Sequence, residues 1–282
     1  LPKISKFDYV FIHREAAPLG PPIIEFLIAK VLRKKIIYDF DDAIWLPNFS
    51  ESNKFFSFIK WYSNSKVLCK WAYKVSCGNE YLCNFARQFN QNVVYNPTTI
   101  DTVNYHNQIS NQNKEKFVIG WTGSHSTTRY LNEIVEVLKV LETKYDFELQ
   151  VIADIPPELD LKSFKFIKWQ KENEIEDLLN FNIGIMPLKD DLWAAGKCGF
   201  KALQYMALGI PALVSPVGVN TKIVDDGLNG FICKTPDDWK MAIEKLIQNH
   251  ELLLEMAKNT RKKIVENYSV VSNTENFLAL FS

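Results

Sequence analysis

Short runs rich in Ile, Val, Tyr and Phe alternate along this chain with stretches whose apolar residues recur at helical spacing. That alternation constrains the fold more than any other feature. In the first part the strand-like runs are Tyr9–His13, Lys35–Phe40, Lys74–Cys77 and Asn92–Tyr95. Between them lie the helical stretches Ile23–Leu32, Phe55–Ala72 and Glu80–Gln88. Pro21 and Pro22 open the first of these, as proline suits a first helical turn. Strands separated by helices of this length read as βαβ units, which build parallel sheets.

The pattern then breaks. Val103–Glu115 is polar, rich in Asn and Gln, and has no period, so it reads as a linker. The alternation restarts with strand Phe117–Trp121, helix Thr128–Lys144 and strands Glu148–Ala153 and Phe164–Lys168. Helix Glu172–Asn180, strand Asn182–Met186, helix Phe200–Leu208 and strands Pro211–Ser215 and Phe231–Cys233 follow. The tail from Asp237 is helical, with Asp237 or Thr235 as its cap. The expectation is an α/β chain of two Rossmann-like domains, residues 1–102 and 116–282, joined by 103–115. Such sheets bind ligands at the carboxyl ends of their strands, so a cleft between the two domains is the expected site.

Composition removes several alternatives. At 282 residues, 47% hydrophobic, the chain has material for real cores. Lys+Arg and Asp+Glu are both 33, so no overall basic field recruits nucleic acid. The five cysteines form neither a CxxC pair nor a Cys/His cluster, which fits reduced thiols and a cytoplasmic protein. No apolar run is long enough to span a bilayer.

Several segments have the makings of a site. Gly196-Lys197-Cys198-Gly199-Phe200-Lys201 runs into a helix start, where unpaired N–H groups and the positive dipole end favour an anion. Gly199 permits close approach, and Lys197 and Lys201 add charge, so these are parts of a diphosphate site. An ordinary helix start with two solvated lysines fits the same residues. Gly120–Thr128 is a strand entering a Gly/Ser/Thr loop, with Gly123, Ser124, Thr127 and Arg129 as phosphate contacts and helix capping as the structural alternative. Met186, Pro187 and Leu188 form either an apolar wall or plain core. In Tyr38-Asp39-Phe40-Asp41-Asp42, strand alternation puts Asp39 and Asp41 on one face and Asp42 on the other. Carboxylates so crowded need solvent or a partner. His13-Arg14-Glu15 also ends a strand.

The stretch KALQYMALGIPALVSPVGVNTKIVDDGLNGFIC resembles the signature region of retaining glycosyltransferases of the GT4-like group. The resemblance implies a GT-B fold, with a nucleoside-diphosphate sugar bound mainly by the second domain, no cofactor and no metal. The acceptor it implies is a glycan or lipid-linked sugar of polysaccharide biosynthesis. Peripheral contact with the inner membrane face is compatible with it, but the neutral charge lends that no support. Carried over by position, Lys201 matches the basic residue beside the donor diphosphate, and Gly199 and Phe200 its backbone donors. Met186 falls in the segment lying against the base. Asp41 or Asp42 falls near the transferred sugar, and His13, Arg14 and Glu15 on the acceptor or sugar side. Gln204 stands where the family has the ribose-binding Glu, Gly196 where it has the upstream Glu, and Lys222 where many relatives carry Glu. The family's opening strand and glycine-rich loop have no counterpart, so the first domain is expected to be incomplete. A nucleotide-binding scaffold on an impaired transferase fold is the alternative function.

Overall fold

A computed structural model describes residues 3–16, 20–47 and 61–282. They form two sheets in which every paired strand is parallel. The first sheet has the order β1-β2-β3-β4, with β1 Tyr9–His13, β2 Lys35–Phe40, β3 Lys74–Cys77 and β4 Val93–Tyr95. The second has the order β10-β9-β8-β5-β6-β7. Its strands are β5 Phe117–Thr122, β6 Phe147–Ala153, β7 Phe164–Lys168, β8 Ile183–Met186, β9 Ala212–Val214 and β10 Gly230–Ile232. All lie within a residue or two of the positions expected from the alternation. No helix among the described residues is long and apolar enough to cross a membrane.

The helices depart more. Ile23–Leu32 is one α-turn, Ile23–Phe26, followed by a wider π-turn, Leu27–Val31. Of Phe55–Ala72, the described part is helical over Asn64–Trp71, and residues 55–60 lie outside the described residues. Thr128–Lys144 is not one helix. It divides into His125–Thr128, a 3-10 turn Arg129–Glu133, and Val135–Leu141. The tighter turn suits three-residue spacing, and it sends both Leu131 and Ile134 into the core, where neither is exposed. The helix Pro236–Gln248 is capped by Thr235 in a capping box with Asp238, not by Asp237.

The chain divides into two compact units. The first contains residues Leu1–Thr98, Asp191–Cys198 and Asn273–Ser282, and the second Thr99–Asp190 and Gly199–Ser272. The division is therefore not a single crossing at 103–115, because the chain returns to the first unit twice. Nor is 103–115 a free tether. Ser110 Oγ donates to the carbonyls of Leu179 and Phe181 at 2.9 and 3.1 Å, and Gln112 Nε2 to that of Gly209 at 3.3 Å. Asn182 Nδ2 donates to both oxygens of Gln112 at 3.1 Å. The segment is polar because it satisfies main-chain groups at the ends of the second unit's helices and strands, which are costly when buried unpaired.

Candidate functional site

The second unit has a cleft of about 340 Å³ at the carboxyl edge of its sheet. The edge follows from the topology. β5 pairs with β6 on one side and β8 on the other, so the chain switches direction of winding at β5, where open parallel sheets take ligands. Thr122, Gly123 and Ser124 enter the lining from the end of β5, Asp154 from β6 and Trp169 from β7. Glu174 comes from the first turn of helix Glu174–Leu179, and Phe200, Lys201 and Gln204 from helix Phe200–Ala207.

Two glycines and a tyrosine place that last helix. Gly199 occupies its N-cap position at φ +74°, a left-handed conformation that side chains disfavour. A Cβ there would also lie 2.2 Å from Ile223 Cδ1. With no side-chain cap, the first-turn N–H groups are not satisfied by residue 199. Further along, the Tyr205 ring lies across Gly184 of β8, where a Cβ would approach it to 2.2 Å. Its hydroxyl accepts the Thr122 N–H at 2.9 Å, tying the helix to the end of β5. Burial pushes the Tyr205 phenol well above its usual range. Lys201 crosses Gly123, whose missing Cβ would meet Lys201 Cε at 2.7 Å, and its Nζ lies 5.4 Å from the Trp121 ring centroid.

Two carboxylates line the same cleft. Asp154 receives the His125 main-chain N–H and faces His125 Nδ1, both at 2.6 Å. Partial burial alone raises its pKa, but the bonds from His125 outweigh that and hold the carboxyl below its usual range. Glu174 accepts from Tyr105 Oη at 2.7 Å, Trp169 Nε1 at 3.2 Å and Gln204 Nε2 at 3.4 Å.

The first unit carries a separate charge cluster. The register sets His13, Asp39 and Ser76 in one row across β1, β2 and β3. His13 Nδ1 meets Asp39 Oδ2 at 2.7 Å, and Ser76 Oγ donates to Asp39 Oδ1 at 2.6 Å. Arg14 follows β1 at φ 61°. Its guanidinium donates to Asp41 at 2.7 and 2.9 Å and to Asp42 at 2.8 Å. Half-burial opposes the charge of Arg14, yet Asp41 and then Asp42 outweigh it and raise its pKa. The strand alternation expected to separate Asp41 from Asp42 fails because β2 ends at Phe40. Beyond it the backbone turns and both carboxylates reach one arginine.

The segment 191–198 closes this cluster. Asn79 Nδ2 donates to the carbonyls of Ala195 and Lys197 at 3.3 and 3.1 Å, and Cys198 Sγ to that of Asp41 at 3.1 Å. A Cβ at Gly196 would stand 2.7 Å from Ala43 Cβ. No larger side chain fits there without moving the Ala43 backbone.

The predicted residues therefore separate. Gly123, Ser124, Phe200, Lys201 and Gln204 meet in the cleft, with Gly199 opening their helix. Lys197 does not join them on the second unit; it belongs to the first, 3.6 Å from Asp42. Met186 is a core residue, 2% exposed, and forms no part of the cleft lining. Arg129 is exposed and packs its guanidinium 5.2 Å from the Tyr130 ring, outside the lining. His13, Arg14, Asp41 and Asp42 assemble as described, while Glu15 is half-buried and acts electrostatically on Tyr38. Asp154, Trp169 and Glu174 escaped sequence reasoning. Each follows a strand's carboxyl end within a few residues, and that placement was the available signal. Among the described residues no group of His, Cys, Asp and Glu is disposed to hold a metal ion.

Comparison with known proteins agrees with the two-sheet architecture. A glycosyltransferase from Rickettsia africae ESF-5 matches with a TM-score of 0.72 at 14% identity, over 99% of this chain and 78% of that one. Anabaena Alr3699/HepE, solved with UDP and glucose, matches with a TM-score of 0.74 at 14% identity, over 100% and 79%. A sucrose-phosphate synthase from Thermosynechococcus elongatus matches with a TM-score of 0.67 at 11% identity, over 98% and 73%. A search of curated protein sequences finds no significant match. The family model described as Glycosyl transferases group 1 matches residues 104–263, more than half of the chain and all of the cleft lining. The chain thus belongs to the group 1 glycosyltransferases and has their GT-B fold.

Proposed function

We propose that this enzyme transfers a sugar, with retention at the anomeric carbon, from a nucleoside-diphosphate sugar to a glycan or lipid-linked acceptor in polysaccharide biosynthesis at the cytoplasmic face of a membrane. The observation that carries the donor half is the cleft in which Lys201 and an uncapped helix start meet the Gly123-Ser124 turn. A fixed cation, oriented N–H groups and a positive dipole end stabilise the charge that grows on a departing diphosphate. HepE, similar in fold, was solved with UDP and glucose. Retention, the acceptor class and metal independence rest on the GT4-like resemblance. In this reading Asp41 and Asp42, held by Arg14 and Lys197, serve sugar hydroxyls, and His13, Arg14 and Glu15 serve the acceptor side.

Thermal shift with UDP-, GDP- and dTDP-sugars tests the donor site. At a ligand concentration of ~100 Kd the gain is about 2.7 kcal/mol. No stabilisation by any of them would overturn the reading. Binding without transfer or hydrolysis would support the scaffold alternative instead. The anomeric configuration of the product, read by NMR, decides retention.

A further inference from the structure

The cleft lining carries, in spatial order, the chemistry of a ribonucleotide. At one end stand Lys201 and the Gly123-Ser124 turn, suited to phosphate. Gln204 follows three residues along the same helix, about 4.5 Å further by helical rise. Trp169 stands at the end of β7, two strand positions from β5, about 10 Å across the sheet. The residue is 41% exposed and lines the cleft. The indole nitrogen is engaged by Glu174, which fixes the ring and leaves its plane to be covered.

Glu174 lies between the phosphate end and the aromatic end. Three donors from three segments hold its carboxylate: Trp169 and Gln204 on Oε1, Tyr105 on Oε2. A carboxylate accepts about four hydrogen bonds, so this one retains capacity for a ligand donor. Gln204 turns the donor end of its amide toward that same carboxylate. A neutral amide also binds a hydroxyl about half as strongly as a carboxylate does. The negative charge on this side of the cleft is therefore carried by Glu174, with Gln204 bound to it.

We propose that Glu174 binds the ribose diol of the donor nucleotide, with Trp169 covering the base, and that it selects ribonucleoside over deoxyribonucleoside diphosphate sugars. This rests on the donor-site reading of the same cleft. A purely structural Glu174, stabilising its helix start and anchoring Tyr105, would be blind to the ribose 2′-hydroxyl. That blindness is what the experiment reads.

Dissociation constants of UDP and 2′-deoxy-UDP are measured by calorimetry on the full chain and on Glu174→Gln. If GDP is the nucleotide that binds, GDP and 2′-deoxy-GDP take their place. The unsubstituted protein is expected to prefer the ribonucleotide at least tenfold, and Glu174→Gln to shrink that preference to about threefold or less. Should Glu174→Gln fail to fold, Glu174→Asp keeps the charge at the helix start but withdraws the carboxylate by one methylene, and the same collapse is expected. A preference that survives substitution, or no preference in the unsubstituted protein, overturns the inference while nucleotide binding leaves the donor site standing. If neither UDP nor GDP binds at all, the donor-site reading fails and this inference fails with it.

Discussion

At the carboxyl edge of the first sheet, Asp39, Asp41 and Asp42 each have a partner from their own unit: His13 and Ser76, Arg14, and Arg14 with Lys197. At the edge of the second sheet, Lys201, Glu174 and Asp154 are spread around a cleft of about 340 Å³. The first arrangement is an electrostatic frame drawn from the ends of β1, β2 and β3 and from the 191–198 segment. The second is a cleft lined from the ends of β5, β6 and β7 and from two helices. The carboxylates of the first are all turned onto cations and donors of the same cluster, whereas Asp154 and Glu174, which also have protein partners, stand beside open space.

Four experiments probe that contrast. The largest effect is expected from Gly199→Ala, which sets the cleft's helix start. A left-handed non-glycine residue costs about 1–2 kcal/mol, and crowding Ile223 adds about 1–3 kcal/mol. Chemical denaturation should show a loss of about 2–5 kcal/mol, and an unchanged midpoint would mean the helix start is not constrained as described. Next comes Lys201→Ala. Hydrogen bonds to charged groups are worth about 1.5–3 kcal/mol, so nucleotide affinity should fall roughly 10- to 100-fold with little change in melting temperature. Unchanged affinity would move the diphosphate elsewhere.

Arg14→Ala is the counterpart in the first unit. Its side chain is 43% exposed, so solvent screening limits the stability loss to about 1 kcal/mol or less. Transfer should weaken while nucleotide affinity holds; a large drop in nucleotide affinity would dissolve the distinction between frame and cleft. The smallest effect is a pH dependence. The Asp154 carboxyl is held below its ordinary 3.8. Its contribution to stability is therefore complete above that value and is lost as pH falls through the lowered folded pKa. His125→Ala should flatten this acid limb in denaturation midpoints taken from pH 5 downward, and an identical limb would show that the pair is not coupled in solution.

Much of the fold was legible because strand and helix periods are local. β1, β2, β3 and β7 begin and end at the expected residues. One wall of the cleft was legible too, since Phe200, Lys201 and Gln204 occupy one continuous segment opened by Gly199. Other features were not. The polar run 103–115 reads as a tether until Ser110 and Gln112 are seen on the carbonyls of Leu179, Phe181 and Gly209. Lys197 and Lys201 look equivalent four residues apart, yet the chain passes between units at Cys198 and Gly199 and gives each a different setting. Met186 was misplaced because a fully buried parallel strand has no polar face to reveal which residues end at the edge.

Residue order alone determined the parallel strands, the glycine-opened helix and the lysine beside it, because backbone preference and side-chain period act over a few neighbouring residues. Only the tertiary structure decided that Gly196 must lack a side chain against Ala43, that Arg14 gathers Asp41 with Asp42, and that Trp169 and Glu174 join Lys201 and Gln204 in one cleft. Those outcomes depend on strand order. β5, β6 and β7 lie side by side, so loops tens of residues apart in the chain end at one edge, and no local pattern records that adjacency.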